Sequence, residues 1–127
     1  MKKLILLTVL VSLFSCTDND DNNITNNQNQ IRVSNNSQYN YENVIIHTTS
    51  GEIAYNNIAS NQVSNYNTFS VIDSNSFVEF TINGNNFSMS FYNDDTTNLS
   101  NGLYTLKISA IGTPTEVNAI LGDLLTD

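Results

Sequence analysis

Basic residues, cysteine, histidine and tryptophan are the scarce residue types of this 127-residue chain. Four Lys and Arg stand against 12 Asp and Glu, with one Cys, one His and no Trp. Without a basic stripe, the chain cannot release counterions from a phosphate backbone, which argues against nucleic acid as a partner. A single His and a single Cys are too few for a conventional zinc site, and no second cysteine exists for an intramolecular disulfide. We therefore expect no metal and no other cofactor.

The chain has one long apolar run, residues 4–14, which follows Lys2 and Lys3 and is interrupted only by Thr8 and Ser12. A charged start before a short apolar stretch is typical of an export signal. As a helix the run would measure about 16 Å, about half of the hydrocarbon thickness of a bilayer. It therefore predicts a signal peptide over residues 1–15 and not a membrane span.

The single cysteine, Cys16, directly follows Leu13-Phe14-Ser15. These residues resemble the lipobox of bacterial lipoproteins, where the cysteine thiol is acylated and becomes the first residue of the mature chain. The resemblance implies a lipid anchor at Cys16. Each buried methylene contributes about 0.8 kcal/mol, so two or three acyl chains hold a protein at a membrane effectively permanently. The alternative is a secretory signal whose cysteine is incidental or packs in the core.

Residues 16–30 comprise this cysteine and an acidic, Asn-rich segment in which Ile24 is the only large apolar residue. Low hydrophobicity and like charges predict an extended, disordered tether. Its start, residues 17–23, resembles the surface-export signal that follows the lipidated cysteine in many Bacteroidota lipoproteins. The resemblance implies the outer face of the outer membrane, with the periplasmic face as the alternative.

The same segment also has the ligand spacing of a calcium loop at Asp18, Asp20 and Asn22. Asn23 and Asn29, however, stand where such a loop wants a glycine and a bidentate glutamate, which argues against calcium. Without the signal peptide, only Arg32 and Lys107 oppose the 12 acids, which leaves a net charge of −10. Cations and cationic proteins are therefore more suitable partners than anionic ones.

From Ile31 onward, apolar residues recur at period two in short runs separated by turn residues, which predicts strands. Residues 77–92 form the clearest hairpin, because Asn83-Gly84 supplies the positive φ angles of a tight turn. The other predicted strands are 31–35, 41–49, 52–58, 62–70 and 103–111. About seven short strands predict an all-β protein, an antiparallel β-sandwich of immunoglobulin-like or related type, over residues 31–127.

The last residues predict a different element, a short C-terminal helix. Thr113 can cap it, Pro114 suits its first position, and Glu116 completes a capping box. Its apolar face would hold Val117, Ile120, Leu121, Leu124 and Leu125. Gly122 disfavours a helix by about 1 kcal/mol, and a final edge strand is the alternative.

Residues 31–111 as a whole resemble small lipoproteins of Bacteroidota that carry one compact β-domain. The resemblance is carried by Asn36-Ser37-x-Tyr39-x-Tyr41-x-Asn43-Val44, by Ser60-x-x-x-Ser64-x-Tyr66-x-x-Phe69 and by Asn101-Gly102-x-Tyr104-Thr105. It implies location and an antiparallel β-fold, and it brings no activity or site residues.

Candidate catalytic groups are few. His47 is predicted to point outward from a strand whose Val44 and Ile46 point inward, and a surface histidine lacks the positioned partner of a catalytic base. The carboxylates of Glu79, Asp94 and Asp95 could serve a glycosidase, but the short chain without Trp offers little to build a sugar cleft. We therefore expect no enzyme activity.

The predicted function is a lipid-anchored envelope lipoprotein whose β-domain has a binding or structural role, with a glycan or a protein as ligand. Loops such as residues 93–102 would form the contact surface. In that loop, Asp95-Thr96-Thr97 resembles a bacterial O-glycosylation acceptor sequence, which implies modification at Thr96. The alternative is a small glycan-processing or enzyme-inhibitory exported protein that uses Glu79, Asp94 or Asp95.

Overall fold

The structure is a computed structural model of the chain, and it describes residues 28–127. The predicted signal peptide, Cys16 and nearly all of the predicted tether lie outside these residues. The described chain forms eight strands: β1 (Asn29–Asn35), β2 (Tyr41–Thr48), β3 (Gly51–Ile58), β4 (Asn67–Phe69), β5 (Phe77–Ile82), β6 (Asn85–Ser90), β7 (Gly102–Thr113) and β8 (Glu116–Thr126). Within this part of the chain there is no helix that could span a membrane.

The strands make two four-stranded sheets, in the orders β4-β1-β7-β8 and β3-β2-β5-β6. All neighbours pair antiparallel except β1 and β7, which run parallel with Asn29 opposite Gly102 and Asn35 opposite Ile108. The predicted all-β sandwich is therefore confirmed, with eight strands where about seven were expected. Its immunoglobulin-like type stays a prediction.

The core lies between the two sheets and follows from the period-two pattern of the strands. Alternate residues of β1, β2, β5 and β7 point inward and are buried: Ile31, Val33, Val44, Ile46, Val78, Phe80, Ile82, Leu106 and Ile108. The inward positions of Val44 and Ile46 agree with the prediction. Near the centre, the rings of Tyr41 and Phe80 pack with centroids 4.8 Å apart. In a chain without tryptophan, these two aromatic side chains are among the largest that fill the core.

Two buried tyrosines also bridge the sheets through their hydroxyls. Tyr41 donates to the carbonyl of Ile108 at 2.9 Å, and Tyr55 donates to the carbonyl of Ile31 at 2.5 Å. Burial raises the pKa of both phenols, because the charged form would lose its hydration. Both hydroxyls are therefore protonated and donate these hydrogen bonds at neutral pH.

Two predicted elements are wrong. The strand expected over 62–70 is reduced to β4 and one isolated bridge between Ser34 and Val63. The predicted C-terminal helix is the strand β8, because ten of its residues pair with β7, and Thr113-Pro114-Thr115-Glu116 forms the hairpin turn instead of a helix cap. Gly122, which disfavoured the helix, lets the Met89 side chain pack against this strand.

The loops and turns divide between the two ends of the sandwich. Asn29, the start of β1, lies opposite Gly102 and Phe69 and bonds through its amide to the Leu99 carbonyl at 3.4 Å. We call this the N-terminal end; it also holds the loops 70–76 and 91–101 and the C-terminus. The opposite end, which we call the far end, holds the segments 36–40, 59–66, 83–84 and 114–115.

Candidate functional site

The predicted contact loop, residues 93–102, lies at the N-terminal end, beside the start of the domain. Within it, Asp94 accepts hydrogen bonds from the backbone N–H and hydroxyl of Thr96, at 2.9 and 2.7 Å, and from the Thr97 hydroxyl at 2.7 Å. These bonds, those from Thr96 foremost, lower the pKa of Asp94 to about 2. Asp94 is thus engaged within its own turn.

A pH titration tests this arrangement. A lowered pKa means that the ionised carboxylate favours the folded turn. The contribution of this carboxylate to the stability of the turn is therefore complete above the unfolded pKa of about 4, and it is lost as pH falls through about 2. We expect the Asp94 carboxyl carbon, followed by NMR, to keep its ionised chemical shift at pH 3. The same residue in an unfolded peptide of residues 91–100 is the control. A midpoint equal to that of the peptide would contradict the arrangement.

The predicted glycosylation site, Thr96, is exposed, as is Asp95. The Thr96 hydroxyl donates to Asp94, so a glycan on that oxygen would replace this hydrogen bond. Modification of Thr96 stays a prediction that rests on its sequence.

The third predicted carboxylate, Glu79, lies on the outer face of the β3-β2-β5-β6 sheet, beside His47. His47 Nε2 is 3.0 Å from Glu79 Oε1, and His47 Nδ1 is 3.0 Å from Glu52 Oε2. The imidazole stacks on Phe77 with centroids 4.6 Å apart and an interplanar angle of 14°. His47 is therefore held by three neighbours, where the sequence predicted a surface histidine without partners.

The register of the sheet explains this cluster. Residues opposite each other on adjacent strands share one face, and His47 lies opposite Glu52 on β3 and Phe77 on β5. The two-residue turn Thr49-Ser50 sets the first of these pairs, because Thr48 lies opposite Gly51 and His47 with Glu52 is the next pair along the strands. The pairing of β2 with β5, which brings Glu79 and Phe77, has no local signal.

The geometry of this cluster suits a structural role for His47. Both ring nitrogens face carboxylates, so neither is directed at a hydroxyl that it could activate. The Nε2 atom is buried and makes no aligned hydrogen bond, so its contact with Glu79 is an ion-pair contact by distance alone. The side chains of Glu52 and Glu79 are 66% and 45% exposed, and each pair contributes at most about 1 kcal/mol when the ring is protonated.

Two shallow hollows could accept a ligand. The first, about 330 Å³, lies beside Glu79 on the sheet face and is lined by Asn43, Ile45, Glu79, Phe80, Thr81, Asn86, Phe87 and Ser88. The second, about 530 Å³, lies between β3 and the segment 62–67, towards the far end. Its lining has no charged residue and includes Asn56, Asn57, Gln62, Asn65 and Asn67. The first hollow suits a ligand with a positive or hydrogen-bond-donating group, and the second a neutral polar ligand.

Comparisons with known proteins identify the fold. No family model matches the chain, and no curated protein does. Among solved structures, the chain is similar to the NMR structure of the protein from Eubacterium rectale, with a TM-score of 0.51 and 16% sequence identity. The match covers 79% of this chain and 88% of that one. It supports the sandwich architecture alone.

Proposed function

We propose that this chain is a lipid-anchored lipoprotein of the cell envelope, displayed on the outer face of the outer membrane, whose β-sandwich has a binding or structural role. The observation that carries the proposal is the position of Cys16, the only cysteine, directly after an export signal and a small residue. The proposal explains why residues 17–28 are so polar, because they span the distance between the lipid and the first strand.

The course of the chain supports this role, because it orients the domain. The tether enters at Asn29, so an anchor at Cys16 places the N-terminal end, with the loop 91–101, nearest the membrane. The far end then faces away from it. We therefore propose that ligands bind the surfaces that the membrane leaves open, which include both hollows, rather than the predicted contact loop at residues 93–102.

The glycan-processing alternative has no support from the described residues. Asp94 is bonded within its own loop, and Glu79 is paired with His47 on the sheet face. A glycosidase needs two carboxyl groups facing each other across one scissile bond.

Substitution of the anchor residue tests the proposal. We expect Cys16→Ala to abolish labelling of the protein by an alkyne fatty acid in growing cells and to remove it from the outer-membrane fraction. The matched control is Ser15→Ala, which keeps a small residue before the cysteine and should retain the label. A Cys16→Ala protein that still carries the fatty acid would refute the lipid anchor.

Protease treatment of intact cells then distinguishes the two faces of the membrane. Cleavage of the β-domain, with a periplasmic lipoprotein left intact, supports surface display. Protection in intact cells with cleavage after lysis would place the domain on the periplasmic face.

A further inference from the structure

Exposed apolar side chains are concentrated on one part of this domain. Of the six large hydrophobic side chains exposed among the described residues, four lie on the outer face of β7 and β8: Leu103, Ile111, Leu121 and Leu125, which are 41%, 53%, 57% and 47% exposed. The register places them in two pairs, because Leu121 lies opposite Ser109 and diagonal to Ile111, and Leu125 lies opposite Thr105 and diagonal to Leu103; Lys107 and Asp123 lie between the two pairs. We call this outer face the β7–β8 strip. Exposed apolar side chains grouped on one face indicate an interaction site more often than singly scattered ones do.

The strip ends at an unprotected sheet edge. Within residues 28–127, β8 pairs only with β7, so the opposite side of this 11-residue strand has unpaired backbone groups. Exposed edges are normally protected by short length, lysine, proline or bulges. Of the other edge strands, β4 has three residues, β6 has six, and β3 is interrupted by register shifts. β8 contains no lysine, arginine or proline, and its one bulge, at Asn118, lies near its start, so the rest of the strand is regular.

The charges around the strip are balanced, unlike those of the rest of the domain. Arg32 and Lys107 are the only basic residues after the signal peptide, and both lie on the outer face of this sheet. Lys107 lies opposite Asp123, and Arg32 Nε is 3.6 Å from Asp127 Oδ2. A second copy of this acidic protein therefore meets less repulsion here than on its other faces.

We propose that two copies of this chain dock through β8, with the two strands antiparallel and Leu121 at the two-fold axis. The two sheets then form one continuous eight-stranded sheet. In this register Asp123 lies opposite Ala119 of the second copy, and Glu116, which lies beyond the bulge at Asn118, is near Thr126. A parallel, in-register pair would instead place Asp123 beside Asp123 and Glu116 beside Glu116, which like charges disfavour. The antiparallel arrangement is self-complementary and closed, so it stops at a dimer.

The antiparallel arrangement of the dimer determines where the lipid anchors of the two copies lie, a step that rests on the proposed function. Antiparallel β8 strands place the N-terminal ends of the two copies at opposite ends of the dimer. A strand of 11 residues spans about 37 Å, and a tether of 13 residues, 16–28, reaches about 45 Å when fully extended. With the N-terminal end of a domain nearest the membrane, as proposed above, two copies in one membrane would need one tether to be almost fully extended. The dimer therefore suits copies anchored on facing membranes. There the contact between the two β8 strands would join the membranes by homophilic adhesion.

Cross-linking tests the register directly. In the mature chain, residues 16–127 with Cys16→Ser, no other thiol is present. Leu121→Cys places two thiols opposite each other at the axis, with Cβ atoms about 5 Å apart, close enough for a disulfide. With oxidised glutathione as the oxidant, we expect a covalent dimer. The control is Ile111→Cys on β7, which is equally exposed but about 14 Å or more from its copy, three strand spacings away.

Sedimentation equilibrium of the same mature chain tests the association itself. We expect a dimer, with Leu121→Asp raising the dissociation constant at least about tenfold, because a carboxylate at the axis would face its own copy. The control is Val63→Asp, the same kind of change at an exposed residue away from the strip. Leu121→Thr, which adds no charge, checks by thermal midpoint that β8 stays folded.

A monomeric wild type at millimolar concentration would overturn the proposal. So would equal cross-linking of the Leu121→Cys and Ile111→Cys chains, or equal weakening by Leu121→Asp and Val63→Asp. These measurements use unlipidated protein and do not depend on the anchor. Clustering of vesicles that carry the lipidated protein then tests the adhesive geometry; association in solution without clustering would overturn that part alone.

Discussion

Replacing Asn35 by alanine is expected to lower the free energy of unfolding by about 3 kcal/mol. Asn35 is fully buried at the end of β1. Its amide donates to the carbonyls of Tyr39 and Ile58, at 2.7 and 2.9 Å, and its oxygen accepts from the Ser37 hydroxyl at 2.7 Å. This one side chain therefore ties the loop 36–40 to the end of β3. Without it, buried carbonyls lose their partner, and each unsatisfied group costs about 1–3 kcal/mol.

Urea unfolding of the mature chain measures this loss. The matched control is Asn65→Ala, because Asn65 is an exposed asparagine of the same domain and should change stability by less than about 0.5 kcal/mol. Asn35→Asp keeps the acceptor for Ser37 but removes both donors, so it should be at least as destabilising as alanine. An Asn35→Ala protein as stable as the control would show that water replaces the amide at no cost.

Asn35 also shows why part of the fold could not be predicted from the sequence. The chain contains about two dozen asparagines, several times ordinary usage, and nothing local distinguishes Asn35 from the rest. Its importance depends on the end of β3, which lies 23 residues away. The strands around it were predictable, because period-two alternation and turn residues are local signals. The parallel pairing of β1 with β7, over 70 residues apart in sequence, was not.

The C-terminal segment shows a different limit. Val117, Ile120, Leu121, Leu124 and Leu125 have helical spacing, and a helix would bury all five on one side. As a strand, β8 partly buries only the alternate set that includes Ile120 and Leu124 and leaves Leu121 and Leu125 exposed. The helix prediction rests on the assumption that apolar residues share one buried face. That assumption fails where the outer face is apolar as well, as in the β7–β8 strip.

The site could be predicted in part. Glu79 was identified as a candidate, and its strand was correctly placed, but His47 was expected to lack partners. Its contact with Glu52 follows from a local hairpin, whereas its contact with Glu79 depends on the order of strands in the sheet. Sequence patterns identify which residues face outward. Strand order decides which of them meet.

The second large effect is expected at Gly112, where β7 ends. A Cβ atom at this position would lie 2.0 Å from the Glu116 carbonyl oxygen and 2.9 Å from Val117 Cα, both backbone atoms of β8. The backbone is close here because a bulge between Ile111 and Gly112 shifts the register of the hairpin. Neither atom can move away without opening the β7–β8 turn. We therefore expect Gly112→Ala to destabilise the domain by about 3 kcal/mol.

This loss should extend beyond the turn, because the Tyr39 hydroxyl donates to the carbonyls of Thr113 and Glu116. A shifted turn breaks these bonds and releases the loop 36–40 at the far end. Hydrogen exchange by NMR should show loss of protection at the start of β8 and in that loop, with the start of β7 unchanged. Thr115→Ala, in the exposed turn, is the control and should change stability by less than about 0.5 kcal/mol. If Gly112→Ala has the exchange pattern of this control, the hairpin accommodates the methyl group by a small backbone shift. In that case β8 is held in place by its pairing with β7 rather than by its turn.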